Sequence, residues 1–204
     1  MKNQRLKIAI QKNGRLSEAS IAFLTSFGLR FTPNGRFLIQ KCENREIDLV
    51  LLRDDDIPEY VSRGIVDFAI VGQNVLLETQ LKIEVIRTLD FARCQLSIAV
   101  PEDSLIKTLK DLEGKRIATT YPQVLKNYLT QNNINSVVVP TSGSVEIAPE
   151  LDVADAVCDI VQTGATLKAH RLVPLVTILE SQAVLITSRA VTNSKQGLRE
   201  LLLQ

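Results

Sequence analysis

Apolar positions along the chain fall into short runs that alternate between two periods. Residues 6–10, 37–41, 48–52, 67–71, 84–89 and 95–100 are runs of five or six residues rich in aliphatic and β-branched side chains, and they predict strands. Those at 6–10 and 67–71 predict buried strands. Between them the pattern turns helical. Ser17-Glu18-Ala19-Ser20 opens a helix that ends near Gly28, residues 54–63 predict a helix with an acidic first turn and Gly64 as its C-cap, and Asn74 caps a short helix. A second set follows: a short helix at about 105–109, a strand at 116–119, a helix from Tyr121-Pro122 to about Gln131, and strands at 137–139, 154–157 and 175–178. A strand at 183–187 and an amphipathic helix at 194–203 close the chain. Strands alternating with helices predict an α/β fold. No fixed-period repeat or low-complexity linker interrupts it, and the pattern fits two packed lobes with a crossover near residues 90–93.

Composition removes several function classes. The 204 residues carry a net charge of +1, no Trp and no basic run with interleaved aromatics, so nothing points to nucleic acid or an anionic membrane. The only histidine is His170, expected in a surface loop, which argues against a His-based zinc site or a catalytic triad. Cys42, Cys94 and Cys158 stand far apart without metal-type spacing, as reduced cytosolic thiols would. The apolar run after the N-terminus is too short for a signal peptide or a span, so a cytoplasmic location is expected.

The stretch Val157-Cys158-Asp159-Ile160-Val161-Gln162-Thr163-Gly164-Ala165-Thr166-Leu167 carries the most chemistry. An apolar strand bearing one acid breaks into a Thr-Gly-Ala-Thr turn that leads into a helix. Backbone N–H groups and two hydroxyls at a positive helix end suit a phosphate monoester. Asp159, placed one short loop away, can hold sugar hydroxyls or magnesium. Thr163 serves equally well as a plain helix cap. Five further segments put polar residues just after strand ends, where open α/β sheets bind ligands. Gln11-Lys12-Asn13-Gly14-Arg15 joins a glycine turn to two cations that can grip a phosphate, or is an exposed loop. Arg36 beside Gly35 is either an anion ligand or a solvated loop residue. The acids of Arg53-Asp54-Asp55-Asp56 are explained by capping and the helix macrodipole, with Arg53 left as a phosphate ligand. Gly72-Gln73-Asn74 is a tight turn, with or without a ligand. Asp90 takes an adenine amino group or a ribose hydroxyl, or simply pairs with Arg93. Cys94 reads as a packed thiol. Cationic turns without a nucleophile suit a reaction between phosphorylated partners that works by positioning and charge neutralisation.

These segments, with Val66-Asp67-Phe68-Ala69-Ile70-Val71-Gly72-Gln73-Asn74, Leu89-Asp90-Phe91-Ala92-Arg93-Cys94, Arg116-Ile117-Ala118-Thr119-Thr120-Tyr121-Pro122 and Gly143-Ser144-Val145-Glu146-Ile147-Ala148-Pro149, resemble the ATP phosphoribosyltransferases of histidine biosynthesis over nearly the whole chain. The resemblance implies a two-lobed, periplasmic-binding-protein-like (type II) α/β fold with the active site in the interlobe cleft. Lobe I would comprise residues 1–91 with 180–204, and lobe II residues 92–179. It further implies condensation of the adenine N1 of ATP with C1 of phosphoribosyl pyrophosphate, releasing pyrophosphate with substrate-bound Mg2+. Arg15 and Arg36 would be catalytic. Glu146, Asp159, Thr163, Gly164, Ala165 and Thr166 would bind phosphoribosyl pyrophosphate, and Arg15, Arg53, Gly72, Asp90 and Tyr121 would bind ATP. No residue would hold a metal by itself. Where the family has a glycine six residues after the Glu of the Ser-Val-Glu segment, this chain has Asp152. The resemblance also implies the short form of the enzyme, a homodimer that assembles with a regulatory subunit resembling histidyl-tRNA synthetase. Two rivals remain: a two-lobed sensor of a small anion, and another phosphoribosyltransferase. The latter often has two adjacent acids before its Thr-Gly loop, where this chain has Cys158-Asp159.

Overall fold

The structure is a computed structural model, and it describes residues 5–32, 37–161, 164–188 and 200. The chain divides into two compact units, one drawn from Met1–Ala92 and Gln182–Gln204 and the other from Arg93–Ser181.

Unit 1 is built on a six-stranded mixed sheet. Its strands are β1 (Leu6–Gln11), β2 (Ile39–Lys41), β3 (Ile47–Leu52), β4 (Phe68–Gly72), β5 (Glu84–Thr88) and β11 (Ala183–Thr187), in the order β2-β3-β1-β4-β11-β5. β3, β1 and β4 run parallel, and β2, β11 and β5 pair antiparallel to their neighbours. Period-2 alternation sends Ile8, Ile10, Leu49, Leu51, Phe68 and Ile70 to one face, where Leu24 of α1 (Arg15–Ser26) and Leu29 cover them. Ala9, Val50, Ala69 and Val71 face the other way, under Ile57 and Val61 of α2 (Ile57–Ser62) and Val75 and Leu76 of α3 (Gln73–Thr79). Both faces are covered, which is why β4 reads as a nearly continuous apolar run and β1 as one broken by Lys7.

Unit 2 is a five-stranded sheet of β6 (Cys94–Pro101), β7 (Arg116–Thr119), β8 (Val137–Pro140), β9 (Ala156–Val161) and β10 (Leu172–Ser181), in the order β10-β6-β9-β7-β8. β8, β7 and β9 are parallel. Leu96, Ile98, Ile117 and Cys158 pack with Leu125 and Leu129 of α4 (Pro122–Gln131). Ala99, Ala118 and Val157 pack with Val145, at the start of the 3-10 turn Val145–Ile147, and with Leu167 of α5 (Ala165–Ala169).

Several expectations need correction. The helix expected at 105–109 is instead a 3-10 turn at Leu109–Leu112, because Thr108 and Asp111 form a capping box that sets the start there. The strand expected at 154–157 runs from Ala156 to Val161, so Asp159 lies within β9 and not in a loop beside it. The strand expected from Phe37 begins at Ile39. His170, by contrast, stands where expected, in the turn between α5 and the strand that begins at Leu172. The closing helix expected at 194–203 lies outside the described residues except at Glu200, which is helical. The three cysteines are free thiols, with Cys42 and Cys158 buried. Among the described residues, no helix is long and apolar enough to cross a membrane.

Candidate active site

In unit 1 the registers gather the candidate residues at one sheet edge. Gln11 pairs with Leu52, and the ladder continues as Lys12 N–H donates to the Leu52 carbonyl at 2.7 Å. Lys12 and Arg53 therefore leave the sheet side by side. Gly72 ends β4 at the same edge, opposite Ala183, whose carbonyl accepts from Leu89 N–H at 2.8 Å and so brings Asp90 there too. This is the C-terminal edge of β1, β3 and β4, the position where open sheets bind ligands. Gly14, at φ 90° and ψ −179°, takes a backbone conformation open essentially to glycine alone, so the turn into α1 and the placing of Arg15 depend on it. Arg15 and Arg53 are exposed.

Two local readings change here. Asp54–Asp56 form a separate 3-10 turn ahead of α2, and no side-chain cap bond forms at either start, which leaves the macrodipole as their favourable interaction. Burial, followed by the charges of Asp54 and Asp56, raises the Asp55 carboxyl above its ordinary value, and Arg53 opposes this. At Gly72, a Cβ would lie 2.4 Å from Asn74 Oδ1. Close approach of the buried Asn74 amide is thus a structural reason for this glycine.

In unit 2 the registers Ala118↔Val157 and Thr119↔Cys158, with Ala118↔Val139 and Thr119↔Pro140, align β8, β7 and β9 in rows. The next row beyond is Thr141, Thr120 and Asp159. By alternation it belongs to the face of Val139, Ala118 and Val157, the face that carries Val145 and Leu167. The segment that holds Glu146 and the start of α5 therefore lie over the same end of the sheet as Asp159. Burial is the main cause that raises the Asp159 carboxyl above its ordinary value. The Ile160 N–H opposes this and the negative charge of Glu146 adds to it, so the two carboxylates sense each other. A partly desolvated carboxylate beside a second one favours ligands that bring hydroxyl donors or a hard cation.

Gly164 adopts a left-handed conformation at φ 73° as the N-cap of α5, and the first-turn N–H groups at Ala165 and Thr166 point out of the helix at this edge. A Cβ at Gly164 would meet nothing within 4 Å, so the glycine is required for its φ and not for space. Tyr121 is half-buried at the end of β7, and its N–H donates to Thr119 Oγ1 at 2.9 Å. Arg36 and Thr163 lie outside the described residues.

Sequence reading missed Thr119, Thr120 and Thr141 because only the non-local register of β8 and β7 brings them beside Asp159. It marked Asp152 as standing where the family has a glycine, and the residue takes a left-handed conformation at φ 55°. It did not foresee that the Asp152 carboxylate accepts from Arg116 Nη2 at 2.8 Å while its carbonyl accepts from Nη1 at 2.7 Å. A cavity of about 480 Å³ lies at the opposite edge of this sheet, lined by Pro101, Asp103, Glu150, His170 and Arg171 among others. Around it His170 Nδ1 lies 3.0 Å from Glu150, and Arg171 is bound to Glu102. Among the described residues, no group of three or more His, Cys, Asp or Glu is arranged to hold a metal.

The sequence model of the HisG family, ATP phosphoribosyltransferase, matches residues 53–204. The chain belongs to the ATP phosphoribosyltransferase family. A curated relative, the ATP phosphoribosyltransferase of Maricaulis maris (strain MCS10), is 45% identical over 192 residues, covering 91% of this chain and 65% of the relative. The chain thus spans a little under two thirds of that relative's length. Among solved structures, the ATP phosphoribosyl transferase (HisG:HisZ) complex from Thermotoga maritima contains a chain that superposes with a TM-score of 0.80 at 28% identity, over 97% of this chain and 96% of that one. The alkanesulfonate-binding protein SsuA from Xanthomonas axonopodis pv. citri matches at a TM-score of 0.59 and 15% identity, over 99% of this chain and 73% of that one. This second likeness is one of fold alone, and it gives this chain the periplasmic-binding-protein-like (type II) architecture expected from its sequence.

Proposed function

We propose that this chain catalyses the ATP phosphoribosyltransferase reaction, the first step of histidine biosynthesis. The observation that carries the reading is the row at the C-terminal edge of β7, β8 and β9, where the Asp159–Glu146 carboxylate pair shares one face and one edge with the Gly164 turn. A phosphate monoester on the turn and ribose hydroxyls on the carboxylates account for both features. Membership of the family supplies the same substrate.

In this reading residues 164–166, with Thr163, cradle the 5-phosphate of phosphoribosyl pyrophosphate, and Asp159 and Glu146 hold its ribose. Arg15, Arg53, Gly72, Asp90 and Tyr121 serve ATP, and Arg15 and Arg36 act on the leaving oxygens. The adenine N1–C1 bond forms as the bond from C1 to the pyrophosphate oxygen breaks, and the electron pair departs with pyrophosphate. Adenine N1 needs no strong base. The barrier is charge separation at an oxocarbenium-like C1, which cations lower by holding the departing oxygens more tightly in the transition state. Asp159 and Glu146 are oxygen donors of the kind Mg2+ accepts, and a substrate-bound Mg2+ would supply charge neutralisation for the leaving pyrophosphate.

A separate regulatory subunit is the proposed partner, supported by the likeness to a chain from a HisG:HisZ complex, and a homodimer of this chain is the unit proposed to assemble with it. A cytoplasmic location follows from such a biosynthetic role. Arg15→Ala and Arg36→Ala test the catalytic assignment. Each should lower turnover by roughly 10²-fold, with the melting temperature little changed. Unchanged turnover in both would remove these arginines from the mechanism.

A further inference from the structure

Among the described residues, one buried side-chain oxygen or nitrogen has no hydrogen-bond partner, and it is Thr141 Oγ1. Buried hydroxyls rarely go without one. Others in the same unit do not: Thr119 Oγ1 accepts from Tyr121 N–H at 2.9 Å, and Ser97 and Thr177 share a hydrogen bond at 3.1 Å. Thr141 is also well anchored by its backbone, since its N–H donates to the Thr119 carbonyl at 2.9 Å. The orphan is therefore the hydroxyl alone.

Its position gives the orphan a meaning. Thr141 follows β8 directly, stands in the row of Thr120 and Asp159, and by alternation belongs to the face that carries Val145 and Leu167. It opens the loop that delivers Glu146. That loop turns through Gly143 at φ 153° and Ser144 at φ 49°, a left-handed conformation that a non-glycine residue adopts at a cost. An unsatisfied hydroxyl and a strained serine thus occur within four residues, between the end of the edge strand β8 and Glu146, a carboxylate of the proposed sugar-phosphate half-site. Both features are local to the segment that delivers Glu146.

We propose that Thr141 is a positioning residue of this half-site. Its hydroxyl gains its partner when a phosphorylated pentose engages residues 164–166 and the loop 141–146 settles, which fixes Glu146 against the ligand. The inference rests on the reading that unit 2 takes phosphoribosyl pyrophosphate.

Thr141→Val keeps the shape and removes the hydroxyl, whereas Thr141→Ser keeps the hydroxyl. Titration calorimetry with phosphoribosyl pyrophosphate and Mg2+, and separately with ATP, is the test, together with thermal melting of each free protein. Thr141→Val should melt at or above the wild type, since an unsatisfied buried hydroxyl has gone. It should bind phosphoribosyl pyrophosphate about tenfold more weakly, the scale of one hydrogen bond to a charged partner, with ATP binding unchanged and the KM for phosphoribosyl pyrophosphate raised to match. Thr141→Ser should restore most of the affinity. Wild-type affinity in Thr141→Val, or a Thr141→Ser as weak as Thr141→Val, would overturn this inference while leaving the half-site standing. A wild-type chain that shows no binding of phosphoribosyl pyrophosphate would overturn the half-site reading and this inference with it.

Discussion

Burial of Asp159 sets up a conflict between stability and function that titration can read. Its carboxyl is held above the ordinary carboxylate range chiefly by desolvation, with Glu146 adding to the effect. From the ordinary value up to the raised one, the folded chain binds more protons at this site than the unfolded chain does. The contribution of Asp159 to stability is therefore best below that window and declines as pH rises through it. Asp159→Asn removes the titrating group. The variant should melt above the wild type at neutral pH, lose that advantage once the pH falls below the ordinary carboxylate range, and lose turnover throughout. Melting curves across a pH series check this, and a variant less stable than the wild type at neutral pH would contradict the burial account. Gly164 and Gly14 show a simpler form of the same constraint, each holding a positive φ at the start of a helix beside a proposed substrate group.

At the level of elements, strands that are continuous apolar runs were legible almost residue for residue. β7 and β11 occupy the expected positions because β-branched and aliphatic residues are concentrated there. Boundaries that depend on a side-chain cap or on pairing were not legible. The Thr108–Asp111 capping box moved one turn, and pairing of Ser97 with Asp159 extended β9 through the acid. The candidate site was half visible for the same reason: its glycines and charges stand in sequence, while the row that unites Thr141, Thr120 and Asp159 exists only once three strands are in register. The turn at Asp152 joins sequence to packing. Its left-handed backbone would suit glycine, but its carboxylate secures Arg116, which also binds Asp155 at 3.1 Å and lowers the Asp155 pKa. Asp152→Gly gives up the ion pair and relieves the backbone, whereas Asp152→Ala gives up the pair and keeps the strain. Asp152→Gly should melt close to the wild type and Asp152→Ala below both. The reverse order in thermal melting would show that the backbone conformation is not the controlling feature.

On the scale of the whole molecule, each of two sheets has cores on both faces and a C-terminal edge of parallel strands, the kind of edge where open α/β sheets take ligands. Unit 1 offers Lys12, Arg15 and Arg53 at that edge, and unit 2 offers the carboxylate pair and the glycine turn. A sensor of one small anion would need only one such set, whereas a transferase with two phosphorylated substrates uses both. The account is tested most directly by following pyrophosphate release and the ultraviolet signal of the adduct when the chain meets ATP, phosphoribosyl pyrophosphate and Mg2+, alone and with a HisZ-type regulatory subunit. Product that requires both substrates, in at least one of the two preparations, is the predicted result. No pyrophosphate and no adduct in either preparation would contradict it.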